Sequence, residues 1–161
     1  MILLVLTLIG VTSMSTTVLE EKMAGGVRNQ NLAFQSAEAA LRNGEAWIGA
    51  QNPVPSAVAT CGTPPCQVVE LNSLGDLTAQ NNSWWNTNAR EYGTTGTQEI
   101  AGVSADPHYI VEFRKFQNTG GLDVGLNPPQ GRLYYRVTAR GTGGNTTTEA
   151  LLQSHYMVIA N

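Results

Sequence analysis

The sequence predicts an α+β fold in which one long N-terminal helix packs on an antiparallel sheet. Three observations predict it. An apolar opening run continues into amphipathic, helix-compatible sequence as far as Pro53 and Pro55. Three late segments of partial alternation are separated by Gly, Pro and Asn clusters. The 161 residues suit a single domain with an extension.

The helix comes first. Residues Met1 to Val11 read MILLVLTLIGV, with no basic residue before them and no charge until Glu20. Alone, this run is short of the roughly 20 apolar residues that span a bilayer, and it lacks the positive n-region of a signal peptide. Helix-compatible sequence continues to Gln51, which implies one helix of about 50 residues and, at 1.5 Å per residue, roughly 75 Å of length. That exceeds the width of the domain the remaining chain can form, so part of the helix must protrude. The expected division is a protruding part over 1–24 and a globular head over 25–161. Gly25 and Gly26 fall at the junction, where each costs about 1 kcal/mol relative to Ala, and a flexible or melted point is expected there.

From Met14 onward, Val18, Met23, Val27, Phe34, Leu41 and Ile48 recur at three, four or seven positions. Val27, Phe34, Leu41 and Ile48 are therefore the expected helix–sheet packing residues. Glu20, Glu21, Arg28, Gln35, Glu38, Arg42 and Glu45 fill the opposite face. An ordinary membrane anchor with a stalk is the bland alternative, although a stalk need not keep an apolar face in phase with the membrane part.

Residues 52–69 form a Pro-rich connection containing both cysteines, Cys61 and Cys66. A zinc site would want four Cys or His ligands, and neither His108 nor His155 is near in sequence. A disulfide is the preferred reading, with a contribution at the low end of about 2–4 kcal/mol because the loop is small. It implies an oxidising compartment such as a periplasm or cell surface. The polar stretch 72–97 carries Trp84 and Trp85; one indole capping the core and the other covering a loop is preferred to a carbohydrate platform. The strands are expected at His108–Phe116, Arg132–Arg140 and Glu149–Ile159. GTGGN at Gly141–Asn145 reads as a hairpin turn, since no helix with a Walker-type Lys follows it.

Chemistry is sparse. The net charge of −3 is made from 13% charged residues with no Lys/Arg run, so nucleic acid is not an expected partner. His108 and His155 form no catalytic or metal-ligating spacing with the carboxylates, and Asp76, Asp106 and Asp123 lack the spacing of a calcium loop. No catalytic residue, metal or cofactor is expected. Glu20 and Glu21 are either ordinary solvated charges or partners for a neighbour's basic group.

The segment LTLIGVTSMSTTVLEEKMAGGVRNQNLAFQSAEAALRNGE, Leu6 to Glu45, resembles the N-terminal region of the PilX minor pilins of type IV pilus systems. Its specific parts are LTLIG, the block from Thr16 to Gly25, and RNQNLAFQSAEAALRNGE from Arg28. The closing stretch YRVTARGTGGNTTTEALLQSHY, Tyr135 to Tyr156, is similar to the C-terminal hairpin of that family. The resemblance implies the type IV pilin fold and a non-enzymatic subunit that primes pilus assembly at the filament tip. It also implies a leader removed by a prepilin peptidase, N-methylation, storage in the inner membrane before assembly, and delivery to an extracellular pilus. Its partners would be other minor pilins, the major pilin and a tip-associated adhesin. Ile2, Leu3, Leu4, Val5, Leu6, Leu8, Ile9 and Val11 would then form the membrane and filament-core part of the helix. The family's basic leader and first helical residues have no counterpart here, so Met1 is expected to lie within the helix of the full protein. Two other readings are a pseudopilin of a type II secretion system and a membrane-anchored periplasmic binding module.

Overall fold

In the computed structural model, residues 2–94, 96–118 and 131–160 are described, without the side chains of 2–15 and 160. Residues Ile2–Gly49 form one uninterrupted helix, α1. The break expected at Gly25 and Gly26 does not occur. Helix formers such as Glu20, Glu21, Lys22, Met23 and Ala24 precede the pair, and a cost of about 1 kcal/mol per glycine is insufficient to interrupt so long a run.

The sheet is mostly antiparallel. Its long strands are β3 (His108–Asn118), β4 (Gly131–Thr142) and β5 (Glu149–Ala160). Two short strands, β1 (Val69–Glu70) and β2 (Arg90–Glu91), both pair with β3, β1 in parallel and β2 antiparallel. The path β1-β3-β4-β5 leaves β5 at one edge. A bulge interrupts β3 between Phe113 and Lys115. A short helix, α2 (Asn82–Asn88), starts at Asn81, whose side chain accepts the Trp84 N–H as an N-cap.

The core lies on both faces of the sheet. On the inner face, α1 packs Ala40 and Ile48 against Tyr109, Val111, Tyr135, Val137 and Ala139. On the outer face, the segment around α2 buries Cys66, Val69, Leu77, Trp85 and Ala89 against Ile110. Trp85 is fully buried, and Trp84 meets it edge-on at 5.7 Å. Cys61 and Cys66 are joined in a disulfide beside this cluster.

The packing face of α1 differs from the sequence reading. Its buried positions are Ala33, Ser36, Ala37, Ala40, Gly44 and Ile48. Of the four expected packing residues, Ile48 is fully buried and Leu41 packs at the margin of the inner core, but Phe34 is 49% exposed and Val27 62% exposed. Geometry gives the reason. Positions seven apart drift about 20° per heptad around a straight α-helix, so a stripe seated on the sheet at Ile48 has turned away from it by Phe34, and Val27 lies on the length of helix that is exposed at every position. The face that stays in phase is built of small residues, which let the backbones approach closely. A Cβ at Gly44 would stand 2.8 Å from both Tyr109 and Val137, and one at Gly141 would collide with the Ser36 hydroxyl.

Candidate functional site

The candidate functional feature of this fold is the length of α1 that the head does not cover. Thr16 to Arg28 are exposed at every position, and contact with the head begins at Asn29. The side chains of Ile2, Leu3, Leu4, Val5, Leu6, Leu8, Ile9 and Val11 lie outside the described residues. Among the described residues, no helix is long and apolar enough to cross a membrane, and no group of His, Cys, Asp and Glu is arranged to hold a metal ion.

Where α1 leaves the head, the turn between β4 and β5 grips it. The Asn29 amide donates to the Thr148 hydroxyl at 2.8 Å, and its carbonyl oxygen accepts the Gly144 N–H. About two turns further along, the Ser36 hydroxyl lies 3.2 Å from both the Ala33 and the Thr142 carbonyls. The turn is held in shape by Asn145, whose side-chain oxygen accepts from the Thr147 and Thr148 N–H groups, and by the Gly143 N–H donating to the Thr148 carbonyl at 2.8 Å. Gly141 and Gly143 serve close approach: a Cβ at Gly143 would meet the Asn29 backbone oxygen at 2.6 Å. The GTGGN stretch is thus a turn that also docks the helix. The signal for docking was the recurrence of glycine at alternate positions, Gly141 in β4 and Gly143 just past its end.

The outer sheet face carries the fixed charges. The Glu112 carboxylate, 1% exposed, accepts from Nε and Nη2 of Arg136 at 2.7 Å each and from the Asn72 N–H at 3.0 Å. Arg136 also donates to the Asn72 side-chain oxygen, so this network holds Asn72 in its left-handed conformation at φ 61°. The carboxylate hydrogen-bonded to Arg136 raises the guanidinium pKa above its ordinary value. Arg140 donates to Glu149 and Asn82. His108, beside this group and buried, has its pKa lowered, chiefly because burial disfavours the charged ring. His155 lies exposed on β5, where its Nε2 accepts a hydrogen bond from Arg114. Asp76 caps the short helical turn Leu77–Ala79, and Asp106 accepts the Glu99 N–H at 3.2 Å; Asp123 lies outside the described residues. These polar groups hold loops and strands in register, and the arrangement suits a scaffold that presents surfaces.

Comparison with known proteins agrees with the long helix and the pilin-like head. The family described as PilX N-terminal matches residues 1–42, and the family described as Type IV pilus assembly protein PilX C-term matches residues 51–158. No curated protein and no solved structure matches the chain. PilX proteins are structural components of the pilus, and membership associates this chain with the pilus and the cell envelope. A helix longer than its head, a mostly antiparallel sheet beneath it, and matches that together span almost all of the sequence place the chain in the PilX family of type IV pilus assembly proteins.

Proposed function

We propose that this chain is a minor pilin that takes part in priming type IV pilus assembly at the filament tip. Residues 1–24 supply the protruding, filament-core part of the helix and residues 25–161 the head. The observation that carries the reading is the continuity of α1 through a stretch, Thr16 to Arg28, that its own head leaves uncovered. A single chain does not maintain an isolated helix of this kind cheaply in water; packing against neighbours is what stabilises it.

The physics of assembly fits. A helix satisfies its own backbone hydrogen bonds in lipid, so it can wait in the inner membrane and then pass laterally into a filament. There, about 25 cal/mol per Å² of apolar area removed from water favours retention. Other minor pilins and the major pilin are the neighbours this predicts, with a tip-associated adhesin above them. Roles in adhesion and twitching motility would follow from the pilus itself. Glu20 and Glu21, exposed just beyond the apolar run, are available to a neighbour's cation.

Intact-mass and N-terminal analysis of sheared surface filaments tests the proposal. An N-methylated chain in the filaments, together with fewer surface pili after gene deletion, is the expected result. Normal piliation in the deletion strain would remove the priming role. Recovery only from the periplasmic or membrane fraction would favour the pseudopilin or anchored-module reading.

A further inference from the structure

The nine basic residues form no run in the sequence, yet the fold gathers three of them at one corner of the outer sheet face. Lys115 pairs with Tyr134 in register, and Tyr134 with Met157; Gln117 pairs with Arg132, and Arg132 with Ile159. The Lys115 ammonium sits over the Tyr134 ring at 5.0 Å, and Arg114 reaches across β4 to His155 on β5. Arg114 and Lys115 are consecutive, and in a regular strand they would point to opposite faces. The bulge between Phe113 and Lys115 re-aims the chain, so both reach the outer face. Among the described residues, Arg114, Lys115 and Arg132 have no carboxylate partner, whereas Arg136 and Arg140 each have one.

This corner adjoins an open sheet edge. Among the described residues β5 pairs only with β4, and its 12 residues carry one carboxylate, Glu149, engaged by Arg140 at the opposite end. Gln153, His155, Met157 and Ile159 are exposed, with Met157 at 40% and Ile159 at 62%. A long edge of this kind, without lysine or proline, is a template for strand addition. The edge starts at the turn that grips Asn29, and the cationic corner lies at its other end.

We propose that β5 accepts one further β-strand from a partner protein, and that this strand is acidic. Backbone hydrogen bonds to the β5 edge would supply affinity, Met157 and Ile159 would take apolar side chains, and Arg114 and Arg132 would select carboxylates. Charge complementarity identifies the occupant. A strand added about 4.8 Å beyond β5 runs within a Debye length, about 8 Å at physiological salt, of the Arg114 guanidinium over His155. A second copy of β5 offers no such complement, because its single carboxylate, Glu149, is already engaged by Arg140 and it carries the same cations beside its edge. The inference names the chemistry of one partner and rests on the pilus reading only for where that partner is met.

The test uses the full chain in non-ionic detergent with two twelve-residue peptides of alternating Val and Thr, one carrying two Glu and the other two Lys in the same places. The glutamate peptide should bind and slow hydrogen exchange at alternate amides of β5. Its affinity should fall about tenfold or more in the Arg114→Glu/Arg132→Glu variant and fall steeply with added salt, as steered charge contacts do. Unchanged melting of that variant will show that the fold is intact, and Arg114→Gln should give an intermediate loss. Equal binding of the lysine peptide, absence of protection on β5, or concentration-dependent pairing of β5 with itself would each overturn the proposal. A chain that enters filaments but binds no acidic peptide overturns this inference alone. Normal piliation after gene deletion removes the priming role while leaving peptide binding as measured.

Discussion

The two parts of α1 share one helix and have opposite surroundings. From Ala33 to Ile48 the buried face is Ala, Ser and Gly with one large residue, and the helix lies close on the sheet. From Thr16 to Arg28 the helix carries larger apolar side chains, and Val18, Leu19, Met23 and Val27 are all at least 50% exposed. These larger apolar residues thus lie where the head does not cover them. Intramolecular packing here depends on proximity of backbones, and the apolar surface left over is offered to other molecules.

The largest expected effect comes from closing the gap that small residues keep open. Gly141→Val places a side chain into Ser36 and the Ala37 backbone, and a destabilisation of about 3 kcal/mol or more is expected by thermal or denaturant unfolding. A cost below about 1 kcal/mol would mean that the helix can shift on the sheet.

Next comes a direct contrast along the same stripe. Ile48→Ala removes a fully buried side chain and should cost about 2–4 kcal/mol, while Phe34→Ala, at a half-exposed site, should cost well under about 1 kcal/mol. Similar losses from the two variants would restore Phe34 as a helix–sheet packing residue. The proposed filament role sharpens the contrast: Phe34→Glu should leave the melting of the chain nearly unchanged while lowering piliation.

A smaller effect is expected at the exit point. Asn29→Ala removes both side-chain contacts to the β4–β5 turn and should cost about 1–2 kcal/mol, with faster amide exchange at Gly144. Unaltered exchange there would show that the glycines alone hold the turn against α1.

The smallest effect is a pH dependence. Burial lowers the His108 pKa from its ordinary 6.5, so the unfolded chain binds a proton at a higher pH than the folded chain does. Stability should therefore decline as pH falls through about 6.5 toward the folded value, and be free of this penalty above it. His108→Gln should flatten that part of the profile. An unchanged slope would assign the dependence to other groups.

Much of the fold was legible in the sequence because its signals are local. The helix was expected to run to the prolines and ends at Gly49; the three strands were read within two residues of their observed ends. The two-residue strands β1 and β2 and the seven-residue α2 were missed, because such short elements carry no usable periodicity. The packing face was misread for a different reason. Residues such as Val27 and Phe34 draw attention by hydrophobicity, whereas Ala37, Ala40 and Gly44 determine how closely helix and sheet approach.

By itself, the sequence determined the long helix, the strand pattern, the short cysteine loop and the residues that resemble the PilX family. Each depends on side chains close in sequence or on a continuous motif. Tertiary structure decided which stripe of α1 faces the sheet, that GTGGN docks Asn29, and that Arg114, Lys115 and Arg132 meet beside an open edge. Those depend on strand register, on a single bulge and on a helical drift of about 20° per heptad, small geometric quantities that no local pattern of residue types encodes.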